Sequence, residues 1–390
     1  MASFNGRAVV RLAFAHLVND VNQAAVLGTL PVLVAQRGLS YVTASGLAAG
    51  LIASSAVVQP ALGYLADRRP APALVPALLV IGAAGVAAVG TLASPPAIAL
   101  AVIAIGIATS AFHPEALRRV QAAGGPRRTT ALAMFAVGGN LGTALGPVLA
   151  AALIGGLGLS GLAVIVAPSL LAAALVPGAA APRQPRAIVA GPVRRGPFAR
   201  LVGVLIVRAA LSGYLTTFVP LYLVSAGTST ARAGAIVTLL LLGGVIATPI
   251  AGRLADRFGA RAVLLGALLP LGPLLGAFAV TGGALRIATV VLVGGGTMAT
   301  YSVAVDAAQR CAPGRDGLAG GIAMGLGSLG AVMLVGFGAL ADRAGVAATL
   351  PIAAALPVLA VLLIPPRAAF GRGRPGIEHG LAPSLDSRAA

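Results

Sequence analysis

The stretch Gly63-Tyr64-Leu65-Ala66-Asp67-Arg68-Arg69 interrupts two long apolar runs with a short charged turn, and it returns as Gly252-Arg253-Leu254-Ala255-Asp256-Arg257-Phe258-Gly259. The offset is 189 residues in a chain of 390, which makes the chain two related halves. The residue types suit a turn at a membrane edge. Glycine lets the backbone turn as a helix ends, and an Asp can cap the next helix or meet the N-terminus of a partner helix. Arginines hold such a turn on one side of a membrane. The second copy closes on Gly259, where the first has Pro70. A polar loop of no special role would account for one copy, but less easily for two in equivalent places.

Composition agrees with membrane residence. Hydrophobic residues are 58% of the chain, charged residues 9%, and the mean hydropathy is +0.99, whereas soluble domains carry about 25% charged residues. The net charge of +18 would suggest nucleic acid in a soluble chain. All 27 basic residues are arginine. Cys311 is the one cysteine, so no intrachain disulfide can form, and the absence of Trp leaves a thin aromatic belt. Arg7 and Arg11 precede the first apolar run without a small-residue cleavage site, so that run is expected to be a retained helix and not a signal peptide.

A membrane helix needs roughly 20 apolar residues. Twelve such runs are predicted, near 10–34, 42–65, 73–93, 96–119, 129–155, 159–179, 200–225, 232–254, 262–280, 284–308, 317–340 and 346–364. Of the 27 arginines, 22 fall on the side of the termini, four on the other, and Arg208 lies within a span. The positive-inside rule then places both termini in the cytoplasm, which explains the basic excess without nucleic acid. The expected plan is an all-α integral membrane protein of twelve transmembrane helices in two pseudo-symmetric six-helix bundles. Its parts are residues 1–181, a Pro- and Arg-rich cytoplasmic linker at 182–199, residues 200–366, and a disordered tail at 367–390.

The paired loop phrase resembles the loop 2–3 and loop 8–9 signature of the major facilitator superfamily. That resemblance implies alternating access around a midplane site, with Gly63, Asp67, Arg68, Gly252, Asp256 and Arg257 as parts of a conformational switch. Asp342-Arg343 repeats the phrase a third time, yet by parity it falls on the outer side, as a cap and turn.

Ionisable residues inside a bilayer cost about 2.5–3.5 kcal/mol at a helix centre, so each must be paired, wet or functional. In the first run His16, Asn19, Asp20 and Gln23 fall on one helical face, and Asp20 sits roughly 15 Å deep. Asp20 is expected to carry a proton; Asn19 and Gln23 could equally serve as glue between helices. The fourth run holds His113-Pro114-Glu115, with His113 at the depth of His16, so the two meet if these helices are neighbours. Glu115 could instead pair with Arg118 or Arg119. Two histidines and an acid without tight sequence spacing do not make a zinc motif, and no metal or cofactor is expected.

The fifth run reads Gly138-Gly139-Asn140-Leu141-Gly142-Thr143-Ala144-Leu145-Gly146-Pro147. Gly142, Gly146 and Pro147 resemble the Gly-x-x-x-Gly-Pro core of the antiporter signature, although helix packing alone would also explain them. Together with His16 to Asp20, Gln59 to Tyr64 and Phe112 to Ala116, this stretch resembles the fosmidomycin resistance type of exporter. The resemblance implies proton-coupled efflux. His16, Asp20, His113 and Glu115 are then the proton-coupling candidates. Asn19, Gln23, Gln59, Asn140, Arg208 and Tyr214 are the substrate-binding candidates, with Asp20 a possible partner for Arg208. Expected partners are the lipid bilayer, protons and a small polar or anionic solute, in a monomer. An uptake symporter is the nearest rival. A membrane sensor lacks an output domain, and an embedded enzyme lacks a nucleophile–base set or metal constellation.

Overall fold

A chain in an apolar slab has to satisfy its backbone polar groups within each crossing, and helices do so. The computed structural model describes residues 4–66, 73–125, 128–176, 192–313 and 316–370. Asp67 and Arg68 lie outside these residues, as do 182–191 of the expected linker and 371–390 of the tail. Among the described residues the regular structure is helical. The first half holds α1 (Gly6–Arg37), α2 (Tyr41–Ala66), α3 (Leu74–Thr91), α4 (Pro95–Gly124), α5 (Arg128–Leu157) and α6 (Val166–Leu175). The second half holds α7 (Arg195–Ser225), α8 (Thr230–Phe258), α9 (Ala260–Leu268), α10 (Leu271–Val280), α11 (Gly283–Arg310), α12 (Asp316–Ser328), α13 (Met333–Ala344) and α14 (Leu350–Leu363).

Ten segments are long and apolar enough to cross a membrane, and shorter apolar helices at Tyr41–Ser54 and Leu159–Leu175 complete twelve. The order of crossings follows the hydropathy, but several are not single α-helices. The ninth is α9 and α10, divided at Leu269 and Pro270, because proline removes a helix hydrogen bond. The eleventh is α12 and α13 joined by a 3-10 turn at Leu329–Val332, and the sixth and twelfth begin with 3-10 turns at Leu159–Ile165 and Val346–Thr349. α7 starts at Arg195, five residues before the apolar run, because polar residues extend the helix beyond the slab.

Burial separates inner helices from lipid-facing ones. In α1, 78% of the apolar window is buried, against 33% for the α9–α10 crossing. That interior place lets α1 carry polar side chains. Small residues set the close approaches. A side chain at Gly142 of α5 would meet the backbone carbonyl of Leu17, and one at Gly330 would meet that of Ile206 in α7. The two glycines are 188 residues apart and the two carbonyls 189, so the same helix pair recurs in each half.

One end of the bundle gathers the chain's entry and its basic residues. Asn5 donates to the Ala123 carbonyl, and Arg194 donates to the carbonyls of Arg310 and Ala369. Arg200 donates to the carbonyls of Leu362, Leu363 and Ile364, satisfying the exposed C-terminus of α14.

At the opposite end the halves are clasped. Asp342, at the end of α13, accepts from the backbone N–H groups of Tyr41 at 2.7 Å and Val42 at 3.0 Å, the first residues of α2. Beside it Gly338 packs against Tyr41, Val42 and Ser45, and Gly234 of α8 packs against Pro147 and Ala151 of α5. The third copy of the loop phrase is thus a cap reaching from one half to the other. Its helix ends as the second copy does, on a glycine of positive φ, Gly345 at 82° and Gly259 at 87°, each bonding the carbonyl four residues back.

Asp342→Ala removes two bonds to a helix N-terminus, a loss of about 1 kcal/mol. The expected outcome is a lower thermal unfolding midpoint for purified protein, with Asp342→Asn intermediate. Asp306→Ala, which breaks only the exposed pair of Asp306 with Arg310, is expected to leave the midpoint in place.

Candidate functional site

Between the halves lies a cavity of about 240 Å³. α1 contributes Asp20 and Gln23, α5 Thr143, α7 Arg208 and Ser212, and α11 Met298 and Tyr301. A pocket at the junction of two halves, mostly apolar with a few polar groups, is where a solute site is expected in this architecture.

Asp20 is the centre of the polar wall. Its carboxylate accepts from Asn19 Nδ2 at 3.0 Å and from the Thr143 hydroxyl at 3.3 Å. Two imidazoles face it, with His16 Nε2 3.5 Å from Oδ2 and His113 Nε2 3.6 Å from Oδ1. The rings lie 5.1 Å apart, centroid to centroid, so the expected shared layer of His16 and His113 exists because α1 and α4 are neighbours.

Each ring is held from behind. His16 Nδ1 lies 2.8 Å from the Phe135 carbonyl and His113 Nδ1 2.8 Å from the Thr109 carbonyl. The His16 ring also stacks on Phe135 at 4.0 Å, and a side chain at Gly139 would collide with it. The glycine-rich face of α5 is therefore what admits the ring. Gly138, Gly142 and Gly146 rest against Ala13, Leu17 and Ala24 of α1, and Pro147 rests against Gly28. Those contacts are helix packing of the small-residue kind.

The other candidates fall in several places. Gln23 lines the cavity, and Asn19 is buried and also donates to the Thr109 carbonyl at 3.4 Å. Arg208 lines the cavity without pairing with Asp20. Its Nε donates to the Thr297 carbonyl at 3.1 Å, its guanidinium lies 4.6 Å from the centre of the Tyr301 ring, and it has no carboxylate partner among the described residues. The two side chains hang from opposite halves with the cavity between them.

Tyr214 is not in the cavity wall. It is fully buried, bonds Thr349 at 2.9 Å and stacks on Phe218, because its position on α7 faces the core of the second half. Asn140 is exposed on α5 and does not line the cavity. Gln59 and Gly63 belong to α2 and Asp256 to α8, but their side-chain surroundings lie outside the described part; Gly252 and Arg257 lie near the end of α8.

Glu115 is removed from the cavity as well. It is 1% exposed and its carboxylate bonds Arg118 at 2.8 Å and Arg119 at 2.8 Å, which is the edge pairing weighed above. The wall also holds residues that sequence reasoning did not single out, Thr143, Ser212, Thr216, Met298, Tyr301 and Ser328 among them. Thr143 was legible, since it stands beside Gly142 on the face that packs against α1. Tyr301 is one of five tyrosines in an aromatic-poor chain, a weaker signal.

Residues 12–334 match the Major Facilitator Superfamily. The chain is 30% identical over 375 residues to the "Uncharacterized MFS-type transporter YfnC" of Bacillus subtilis (strain 168), covering 91% of each chain. It is 28% identical over 374 residues to the "Fosmidomycin resistance protein" of Escherichia coli (strain K12), covering 90% of this chain and 91% of that one. Among solved structures, a D-xylose-proton symporter superposes with a TM-score of 0.73 at 17% identity, covering 93% of this chain and 97% of that one.

The surroundings of the two acids separate their roles. Glu115→Ala strips the buried Arg119 of its carboxylate, and breaking a buried pair costs about 3–5 kcal/mol. The expected result is a sharp fall in folded, monodisperse protein by size-exclusion chromatography. The isosteric Asp20→Asn is expected to elute as wild type does.

Proposed function

The chain belongs to the Major Facilitator Superfamily and is a secondary transporter, and on that premise we propose that it exports a small polar or anionic solute in exchange for protons. The observation that carries this reading is Asp20. It is a carboxylate on the cavity wall, met by two imidazoles, with Arg208 on the opposing half. A carboxylate so placed can hold a proton in one state and release it in another, when water or solute reaches it. Arg208 supplies the positive charge that attracts an anionic group from the solute. Gln23, Thr143 and Ser212 offer neutral polar contacts beside it. The relatedness to a fosmidomycin resistance protein supports the outward direction.

With the arginine-rich ends and both termini in the cytoplasm, the Asp342 clasp closes the outer side of the inner-membrane protein. The conformation is then the one that takes solute from the cytoplasm and gives up its proton there. Gly252, Asp256 and Arg257, with Gly63, Asp67 and Arg68, would serve the equivalent clasp on the cytoplasmic side in the opposite state. Each proton brings about 2.3 kcal/mol per 100 mV and about 1.4 kcal/mol per pH unit. Together these sustain a solute gradient on the order of a hundredfold.

The test is proton movement in acid-loaded everted vesicles on adding polar and anionic compounds, fosmidomycin and phosphonates among them. A compound is expected to discharge the pH gradient with wild type and not with Asp20→Asn. Proton flux in the opposite sense would make the chain an uptake symporter, in keeping with its structural likeness to the D-xylose-proton symporter. A mutant as active as wild type would make Asp20 structural.

A further inference from the structure

The backbone fixes which nitrogen of each ring faces Asp20. A carbonyl oxygen can only accept, so His16 Nδ1, 2.8 Å from the Phe135 carbonyl, carries the hydrogen and donates it. His113 Nδ1 does the same to the Thr109 carbonyl at 2.8 Å. Both Nε2 atoms are left to face the Asp20 carboxylate, at 3.5 and 3.6 Å. In neutral rings those atoms present lone pairs to oxygen lone pairs. A proton or a metal cation held between them relieves that repulsion.

The spacing says what fits. Charge-assisted N–H to carboxylate bonds run to about 2.7–2.9 Å, shorter than either separation here. A tetrahedral zinc ion with ligands at about 2.0–2.2 Å sets neighbouring ligand atoms about 3.4 Å apart. One ligand atom from each of His16, Asp20 and His113 lies within 4.8 Å of the others. Histidine ligands of metals usually donate their second nitrogen to a carbonyl or carboxylate, which fixes the ring, and both rings do so here.

We propose that His16 Nε2, His113 Nε2 and the Asp20 carboxylate form a binding site for one divalent transition-metal cation of the zinc type, reached from the central cavity. Two nitrogens and one carboxylate favour zinc or cobalt over calcium and magnesium, which prefer all-oxygen shells. The single carboxylate leaves one net positive charge on the bound ion. Asp20 lines the cavity and the His113 side chain is 34% exposed, while His16 lies behind them at 10%. The fourth coordination position therefore opens toward the cavity, where water or an anionic group of a solute can take it. The sequence hid this site because the ligands lie on two helices, 93 residues apart between Asp20 and His113. The inference does not depend on the direction of transport.

The test uses purified full-length protein without a polyhistidine tag, in a His379→Ala background that leaves His16 and His113 as the remaining histidines. Cobalt is titrated in and the visible spectrum is read. The expected result is one ion per chain, with the intense bands of a four- or five-coordinate nitrogen and oxygen site, displaced by zinc and not by magnesium. His113→Gln and Asp20→Asn, each checked for monodispersity, are expected to weaken binding at least about tenfold. Asp306→Asn is expected to bind as the parent does. A spectrum like that of the hydrated ion, or equal binding by both site variants, overturns the proposal. Metal binding without proton exchange in vesicles would retain the site and reject the proposed function; exchange without metal binding would do the reverse.

Discussion

A carboxylate held inside an apolar slab must be met by donors, and the first half of this protein is arranged around meeting Asp20. Thr143 and Asn19 donate to it, and the Nε2 atoms of two imidazoles face it. Asn19 and His16 reach it along α1 itself, but Thr143 and His113 reach it only because α5 and α4 pack closely against α1. That closeness comes from glycine. With any side chain at Gly142 the carbonyl of Leu17 would have to move, and with one at Gly139 the His16 ring would lose its place. The small-residue face of α5 and the polar face of α1 are thus two parts of one device. Neither has an evident purpose without the other.

The two halves use related contacts for different ends. Gly330 meets α7 as Gly142 meets α1, so the packing of the inner helices is repeated. The polar content is not. Where the first half has Asn19 and Asp20, the second has Arg208, lying against Tyr301 and the Thr297 carbonyl. Related scaffolds thus carry opposite charges across a cavity of about 240 Å³.

Junctions between the halves show how one local signal can serve two sides of a membrane. Gly252 to Gly259 and Gly338 to Gly345 end their helices in the same way, with a glycine of positive φ bonding an alanine carbonyl. They lie at opposite ends of the bundle. At the end away from the Arg194 and Arg200 contacts the aspartate of that phrase, Asp342, holds the first N–H groups of α2. Those groups have no partner within their own helix, so a carboxylate from the other half is a suitable and reversible one.

The sequence alone determined the membrane class, the twelve crossings and the repeat, and it singled out Asp20, because hydropathy and periodicity are local and a charge stands out against an apolar background. It also supplied Gln23 and Arg208 as cavity residues and placed His16 and His113 in one layer. Only the tertiary structure decided that Tyr214 belongs to the core, that Glu115 is occupied by two arginines, and that Asp20 and Arg208 share a cavity without touching. It also brought His16, Asp20 and His113 within ligand distance, although their spacing along the chain had argued against a metal. The reason is geometric. Which face of a helix meets which neighbour depends on how small residues let helices approach, and that contact lies between segments about a hundred residues apart, where no local pattern records it.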